Sequence, residues 1–133
     1  MTQAVAILAG MFLPLAAAGD PAPGGAAGQY GRSVAACTAL SDMDGQQCLA
    51  GLLEPIDGQL TRSYESALEA AAAQGRAAEL REAQAKWQSF VDAQCGFERA
   101  QFRGGTGYWS AFYICHIRHA AARIDDLDRA IGQ

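Results

Sequence analysis

Four cysteines constrain what this 133-residue chain can fold into. They are Cys37, Cys48, Cys95 and Cys115, and they follow an apolar N-terminal run that is typical of a secretion signal. Export places a chain in an oxidising compartment, where disulfides form and persist. The sequence therefore predicts a small domain that is cross-linked by two disulfides and has no thiol left for covalent catalysis.

The N-terminal region divides into two predicted segments. The apolar run from Ala4 to Ala18 is shorter than the roughly 20 residues that a membrane-spanning helix needs. Small residues at its end are typical of a cleavage site, so residues 1–18 are predicted to be a signal peptide. The alternative is a buried N-terminal helix, since no lysine or arginine precedes the run.

Residues 19–32 are rich in Pro, Gly and Ala and predict a flexible linker. Residues 33–133 are left as one domain, periplasmic or secreted and not attached to a membrane.

The charge balance bears on the kind of partner. The net charge of −4 disfavours binding to nucleic acid or to an anionic membrane, and it is compatible with a cationic protein partner. Modest acidity also keeps a protein soluble whatever it binds. No motif indicates a cofactor, and the sequence does not indicate an oligomeric state.

Apolar residues in the second half of the chain recur at steps of three and four, the period of amphipathic helices. The first stripe runs from Leu53 to Ala71 and ends before Gly75. A second helix is predicted over 77–102 and a third over 108–131. The stripe of the second helix consists of Leu80, Ala83, Trp87, Phe90 and Phe97, widened by Val91 and Cys95. The stripe of the third helix consists of Tyr113, Ile117, Ala120, Ile124, Leu127 and Ile131.

Three amphipathic helices on short connections must bury their stripes against one another. The predicted fold class is therefore all-α, a small antiparallel bundle of three main helices. A short segment bounded by Cys37 and Cys48 precedes the bundle and is predicted to hold a turn and a short helix.

Helix geometry selects among the three pairings that four cysteines allow. Cys95 lies late in the second predicted helix and Cys115 early in the third, so a helical hairpin brings them side by side. Cys95–Cys115 is therefore the expected disulfide, and Cys37–Cys48 follows by elimination. On one straight helix Cys37 and Cys48 would lie about 16 Å apart. Because a disulfide needs Cα atoms within about 7 Å, the chain must turn between them.

Metal binding and catalysis are the rival interpretations. Cys115, His116 and His119 form a Cys-His-x-x-His pattern, but no second half-site of zinc spacing accompanies it. We therefore expect no metal site, and both histidines to face solvent. The aspartates within 125–128 are expected to form a solvated face. The sequence has no nucleophile turn and no phosphate loop, so no catalytic residue is predicted and the protein is not expected to be an enzyme.

Several motifs together resemble the LprI-type lysozyme-inhibitor family. The helix from Leu80 to Cys95 has the family's order of Leu, Gln, Trp, Asp and Cys, and a Gly-Gly-Thr turn follows at 104–106 where the family has Gly-Gly-Ser. Arg123 follows Cys115 by eight residues, as in the family. The resemblance implies an exported, disulfide-bonded helical protein that inhibits a lysozyme-like muramidase without a cofactor.

The chain also departs from the family pattern. Val91 stands where the family has Arg, and Ala120 where it has Thr. His116 and His119 occupy positions where the family has Leu. The loss of the Arg next to Asp92 removes any polar contact made there, but not the packing of the helix.

The glycine-rich turn between the second and third helices is the candidate partner contact. Arg and aromatic side chains are common hot-spot types, and a loop held by a disulfide loses little entropy on entering a cleft. The candidate contact residues are Arg103, Gly104, Gly105, Thr106, Tyr108 and Trp109. In the alternative interpretation Tyr108 and Trp109 cap the core and the glycines only turn the chain. The predicted function is occlusion of a muramidase cleft; the alternative is a non-inhibitory envelope adaptor that binds another protein.

Overall fold

The computed structural model describes residues 24–132, and this part of the chain is helical. Its five helices are α1 Ala26–Thr38, α2 Asp42–Ala50, α3 Leu53–Ala73, α4 Ala77–Ala100 and α5 Gly107–Ile131. The predicted all-α class is confirmed, and the three predicted helices correspond to α3, α4 and α5. The predicted signal peptide lies outside the described residues. Among helices within 24–132, none has the length and apolarity needed to cross a membrane.

Helix α5 is the central element, because it contacts each of the other four helices. Its inward face is the predicted stripe: Ile117, Ala120, Ile124 and Leu127 are each at most 2% exposed. Full burial of an Ile or Leu side chain is worth about 1.5–3 kcal/mol, so the three large residues of this face contribute strongly to stability. The stripe was predicted one residue too long, since Ile131 is 41% exposed beyond the end of the core.

Helix α4 presents a different face to the core than its apolar spacing predicts. Phe90 and Phe97 were expected inside but are 54% and 76% exposed. Val91 and Cys95 are each 1% exposed, and Trp87 packs against the small cluster that they form with Cys115. The reason is the disulfide from Cys95 to α5, which fixes the rotation of α4 about its axis. At 3.6 residues per turn, Phe97 lies about 200° around the helix from Cys95 and so faces solvent.

Helix α1 begins inside the segment predicted to be a linker, so that prediction is wrong from Ala26 onward. Ala26 and Tyr30 are each 6% exposed and belong to the core. Asp125 of α5 accepts hydrogen bonds from the backbone N–H groups of Ala26 (2.7 Å) and Ala27 (2.9 Å). The first N–H groups of a helix have no partner within the helix, so this carboxylate supplies the cap that Gly25 lacks. Asp125 is therefore not part of a solvated face.

The segment bounded by Cys37 and Cys48 contains the predicted turn and short helix, with the turn at 39–41. The disulfide joins the end of α1 to α2 across a Cα–Cα distance of 5.4 Å. Gly45 allows this close approach, because a Cβ there would lie 2.9 Å from the carbonyl oxygen of Cys37. Helix α2 therefore packs directly on the last turn of α1.

We predict that Asp125→Ala destabilises the protein by about 1–2 kcal/mol, because two N–H groups at the start of α1 lose their acceptor. The matched control is Asp128→Ala, which removes an exposed carboxylate from the same helix. It should change the free energy of unfolding by less than about 0.5 kcal/mol. Urea unfolding followed by circular dichroism measures both. Equal losses in the two variants would show that the cap is not a stabilising contact.

Candidate functional site

The turn between α4 and α5, residues 101–106, is called the glycine turn below, and each of its residues is exposed. Successive backbone hydrogen bonds order it: the N–H of Arg103 donates to the carbonyl of Ala100 (3.2 Å), and that of Gly105 donates to Phe102 (2.9 Å). Gly104 has φ of +82°, in the left-handed region that favours glycine. The turn therefore has a defined backbone although each of its residues is exposed to solvent.

The start of α5 packs closely under the glycine turn. A Cβ at Gly107 would lie 3.1 Å from the ring of Phe102, so glycine allows that ring to cover the first residue of the helix. Phe102 itself remains 43% exposed. Its ring is thus supported by the backbone below and open to solvent above.

An arginine and four aromatic rings form one cluster beside the turn. The guanidinium of Arg99 lies 5.0 Å from the ring centre of Tyr108, 5.6 Å from Trp109 and 4.9 Å from Phe112. Trp109 also stacks on Tyr113, with ring centres 6.2 Å apart. A cation over ring faces is attracted by their quadrupoles, by about 0.5–1 kcal/mol at exposed sites. These five residues are called the aromatic cluster below.

The disulfide Cys95–Cys115 anchors the aromatic cluster to the scaffold. Its two cysteines are 1% and 0% exposed, and their Cα atoms lie 5.5 Å apart. With Val91 they form a small core of their own, on which Phe112 packs. Phe112 therefore links the aromatic cluster to the cross-link between α4 and α5. This disulfide and Cys37–Cys48 are the two pairs that the helix geometry predicts.

The structure brings the predicted contact residues to one end of the molecule. Arg103, Gly104, Gly105 and Thr106 lie in the glycine turn, and Tyr108 and Trp109 lie in the first turn of α5. Tyr108 is half-buried, whereas Trp109 is 47% exposed. Within residues 24–132, the side chain of Arg103 forms no hydrogen bond or ion pair.

Sequence reasoning missed three side chains near this end. Arg99 was not singled out, and Phe97 and Phe102 were assigned to the second helix without a surface role. A signal was present for Phe97: a residue two positions from a disulfide-bonded cysteine on a helix must point away from the partner helix. For Arg99 the sequence carries no such signal, because its aromatic partners come from the next helix.

The expectation that His116 and His119 face solvent is wrong, because both side chains contact neighbouring residues. His116 Nε2 lies 2.9 Å from Asp57 Oδ1 of α3, and its ring stacks on Phe112. His119 is partly buried and meets Phe90 edge to face, with ring centres 5.4 Å apart. Burial lowers the pKa of the His119 imidazole, and the positive charge of Arg118 lowers it further.

A groove lies beside the Asp57–His116 pair between α3, α4 and α5, with a volume of about 360 Å³. Among its lining residues, the Thr61 hydroxyl donates to the backbone carbonyl of Asp57 (2.9 Å) and so is not a free nucleophile. Gln84, on the other wall, accepts a 2.9 Å hydrogen bond from Arg123 Nε. The groove offers donors and acceptors to a polar ligand but no activated nucleophile among the described residues.

One group of side chains has the composition of a metal site. Ligand atoms of Glu98, Cys115 and His119 lie within 4.8 Å of one another. The sulfur of Cys115 is bonded to Cys95, so it is not a thiolate ligand in this state. Glu98 accepts hydrogen bonds from Gln94 (2.9 Å) and Arg118 (2.7 Å). Both bonds lower the pKa of the Glu98 carboxyl below its ordinary value, and the bond from Gln94 has the larger effect.

Comparison with known proteins gives one match. The model of the family described as Lysozyme inhibitor LprI matches residues 35–127. The matched range includes both disulfides, the glycine turn and the aromatic cluster. No curated protein and no solved structure matches the chain.

The two tryptophans should differ sharply in their effect on stability. Trp87 packs against both groups of buried residues, so Trp87→Ala should lower the free energy of unfolding by about 3 kcal/mol. Trp109 is half exposed, so Trp109→Ala should cost less than about 1 kcal/mol. Urea unfolding of the two variants tests this. Comparable losses would mean that Trp109 belongs to the core and is not a surface residue.

Proposed function

Because the chain belongs to the lysozyme inhibitor LprI family, we propose that it inhibits a lysozyme-like muramidase by occluding the cleft of that enzyme. The proposal takes residues 1–18 to be a signal peptide that is removed when the protein is exported to the periplasm or beyond the cell. It takes the three long helices to be an antiparallel bundle that holds the glycine turn at one end. The observation that carries it is the exposed, ordered turn inside the range that matches the family.

The order of the turn favours insertion into a cleft. A loop that is already fixed by backbone hydrogen bonds and a nearby cross-link has little conformational entropy left to lose when it binds. The Cys95–Cys115 disulfide joins the helices that flank the glycine turn, and Phe112 of the aromatic cluster packs on that disulfide. The turn thus enters a complex in nearly the shape that it has alone.

The chemistry of the turn fits the chemistry of a muramidase cleft. Glycoside hydrolases generally flank the scissile bond with two carboxyl groups, which makes the bottom of the cleft acidic. Arg103 is exposed and free of partners among the described residues, so its guanidinium can pair with a carboxylate of the cleft. Such a pair would block the residues that carry out hydrolysis.

Charge acts differently over the whole molecule. The net charge of −4 attracts a cationic protein over a distance and raises the rate of encounter. The local positive charge of Arg99 and Arg103 then lies at the end that meets the acidic cleft. The negative net charge of the whole protein and the positive charge at the glycine turn together orient the turn toward the cleft as the proteins approach.

Exposed aromatic side chains supply apolar area for the interface. Phe102 and Trp109 are 43% and 47% exposed, and both lie at the glycine turn. Burial of their remaining surface at the centre of an interface matches the usual position of hot-spot residues. Two of the positions where the chain departs from the family, Val91 and Ala120, are 1% and 0% exposed, so these two departures do not alter the contact surface.

The proposal predicts that Arg103→Glu and Trp109→Ala each weaken inhibition by about tenfold or more, the scale of a hot-spot residue. The measurement is lysis of a cell-wall suspension by a panel of lysozymes, titrated with the purified protein. Arg81→Ala is the matched control, because Arg81 is exposed at the other end of α4, and it should leave inhibition unchanged.

Two other outcomes would contradict the proposal in different ways. Full inhibition by the Arg103→Glu, Trp109→Ala double variant would remove the glycine turn from the contact. Undiminished lysis at a large molar excess of the wild-type protein would remove the inhibitory function itself. The non-inhibitory envelope adaptor would then be the better hypothesis.

A further inference from the structure

The side chains around Cys115 converge on a single cationic atom. Nη2 of Arg118 lies 2.7 Å from Glu98 Oε1, 3.4 Å from His119 Nε2 and 3.9 Å from Cys115 Sγ. These are the three residues whose ligand atoms lie within 4.8 Å of one another. The donors therefore already surround one position, and a positive charge occupies it.

We propose that reduction of the Cys95–Cys115 disulfide turns this cluster into a Zn²⁺ site, with Cys95, Glu98, Cys115 and His119 as ligands. Thiolate, imidazole and carboxylate are the ligands that zinc takes in four-coordinate tetrahedral sites. Cys95 and Glu98 are three residues apart on α4, and Cys115 and His119 are four apart on α5. Both spacings place the two side chains on one face of their helix.

The state of the sulfur atoms controls the site. In the disulfide neither sulfur is a thiolate, so only Glu98 and His119 remain as ligands. A dithiol reductant transfers two electrons and two protons to the disulfide and becomes a disulfide itself, which leaves two cysteine thiols. Zn²⁺ then binds both sulfurs as thiolates and displaces the two protons. The oxidised protein should therefore not compete for zinc at this site.

Arg118 competes with the metal for the same position and does not help to hold it. Its guanidinium now neutralises the donors, and a zinc ion at the same place would repel it. The side chain is 54% exposed, so it can move into solvent when the metal enters. Removal of its charge should consequently tighten zinc binding, whereas a residue that merely shapes the site would weaken binding when replaced.

The second disulfide provides a control within the same chain. Within residues 24–132 no other group of three such donors is close enough to hold a metal, so the Cys37–Cys48 pair has no comparable surroundings. Reduction of Cys37–Cys48 should yield two thiols but no tetrahedral site. A difference between the two pairs separates a built site from general thiol affinity.

The experiment uses the full chain without an affinity tag, reduced with a phosphine, which does not supply a thiol ligand. Water provides the oxygen of the phosphine oxide, and the disulfide takes up the two electrons and two protons. Co²⁺ is the probe, because thiolate charge-transfer bands and visible bands report tetrahedral coordination. Zn²⁺ titrated afterwards should displace Co²⁺ at one ion per chain.

The expected results are specific to the four ligands. The reduced wild type and the Cys37→Ser, Cys48→Ser variant should give the tetrahedral spectrum, while the oxidised protein and the Cys95→Ser, Cys115→Ser variant should not. His119→Ala and Glu98→Gln should each weaken Zn²⁺ binding by about tenfold or more. Mutation of a residue that only hydrogen-bonds to a metal ligand already has an effect of that size. Arg118→Gln should tighten it several-fold.

The proposal is overturned if the spectrum does not depend on His119, or if the two cysteine double variants bind Co²⁺ equally well. Weaker binding by Arg118→Gln would also contradict it. If reduction alone unfolds part of the chain, circular dichroism measures the loss of helix and its recovery. Zn²⁺ should then restore helix in the wild type and in the Cys37→Ser, Cys48→Ser variant, and failure of both readouts overturns the proposal.

Discussion

The disulfide between Cys95 and Cys115 is the constraint on which the rest of the α4–α5 hairpin depends. It fixes not only the distance between the two helices but also the rotation of α4 about its own axis. Val91 then faces the core, and Phe97 faces solvent at 76% exposure. Phe112 packs on the cross-link, and its ring lies against the Arg99 guanidinium. The glycine turn is thereby held at both ends by contacts that lie outside the turn itself.

The parts of the fold that follow from local spacing could be predicted, and those that depend on distant contacts could not. The buried face of α5 is continuous in sequence, so its period of three and four identifies Ile117, Ile124 and their neighbours. Helix α4 contains more apolar positions than one face can bury, and only the disulfide decides which of them turn inward. Helix α1 begins in a stretch of Gly and Ala that looks unstructured, because its cap is Asp125, 99 residues away from Ala26. At the candidate site, the same distinction separates the exposed turn, which its glycines reveal, from Arg99, whose partners lie across the turn.

Family membership describes the scaffold of this protein more fully than its contact surface. Of the residues that carry the resemblance, Gln84 and Arg123 join α4 to α5 by a 2.9 Å hydrogen bond, and the two cysteines join the same helices covalently. Trp87 packs against both groups of buried residues. The residues that carry the family resemblance thus mainly determine how α4 packs on α5. The glycine turn is presented by that packing, and its Arg and aromatic side chains are what a target would meet.

The proposed inhibitory surface and the proposed zinc site are linked through the same pair of helices. An inhibitor that depends on an ordered turn needs α4 and α5 joined close to the glycine turn, and the disulfide meets that need only while it is oxidised. Zinc bound by Cys95, Glu98, Cys115 and His119 would join the same two helices at the same place in the reduced chain. The two cross-links exclude each other, since both use the sulfur atoms of the cysteine pair. The position of the glycine turn would then depend on the presence of a cross-link there and not on its chemical kind.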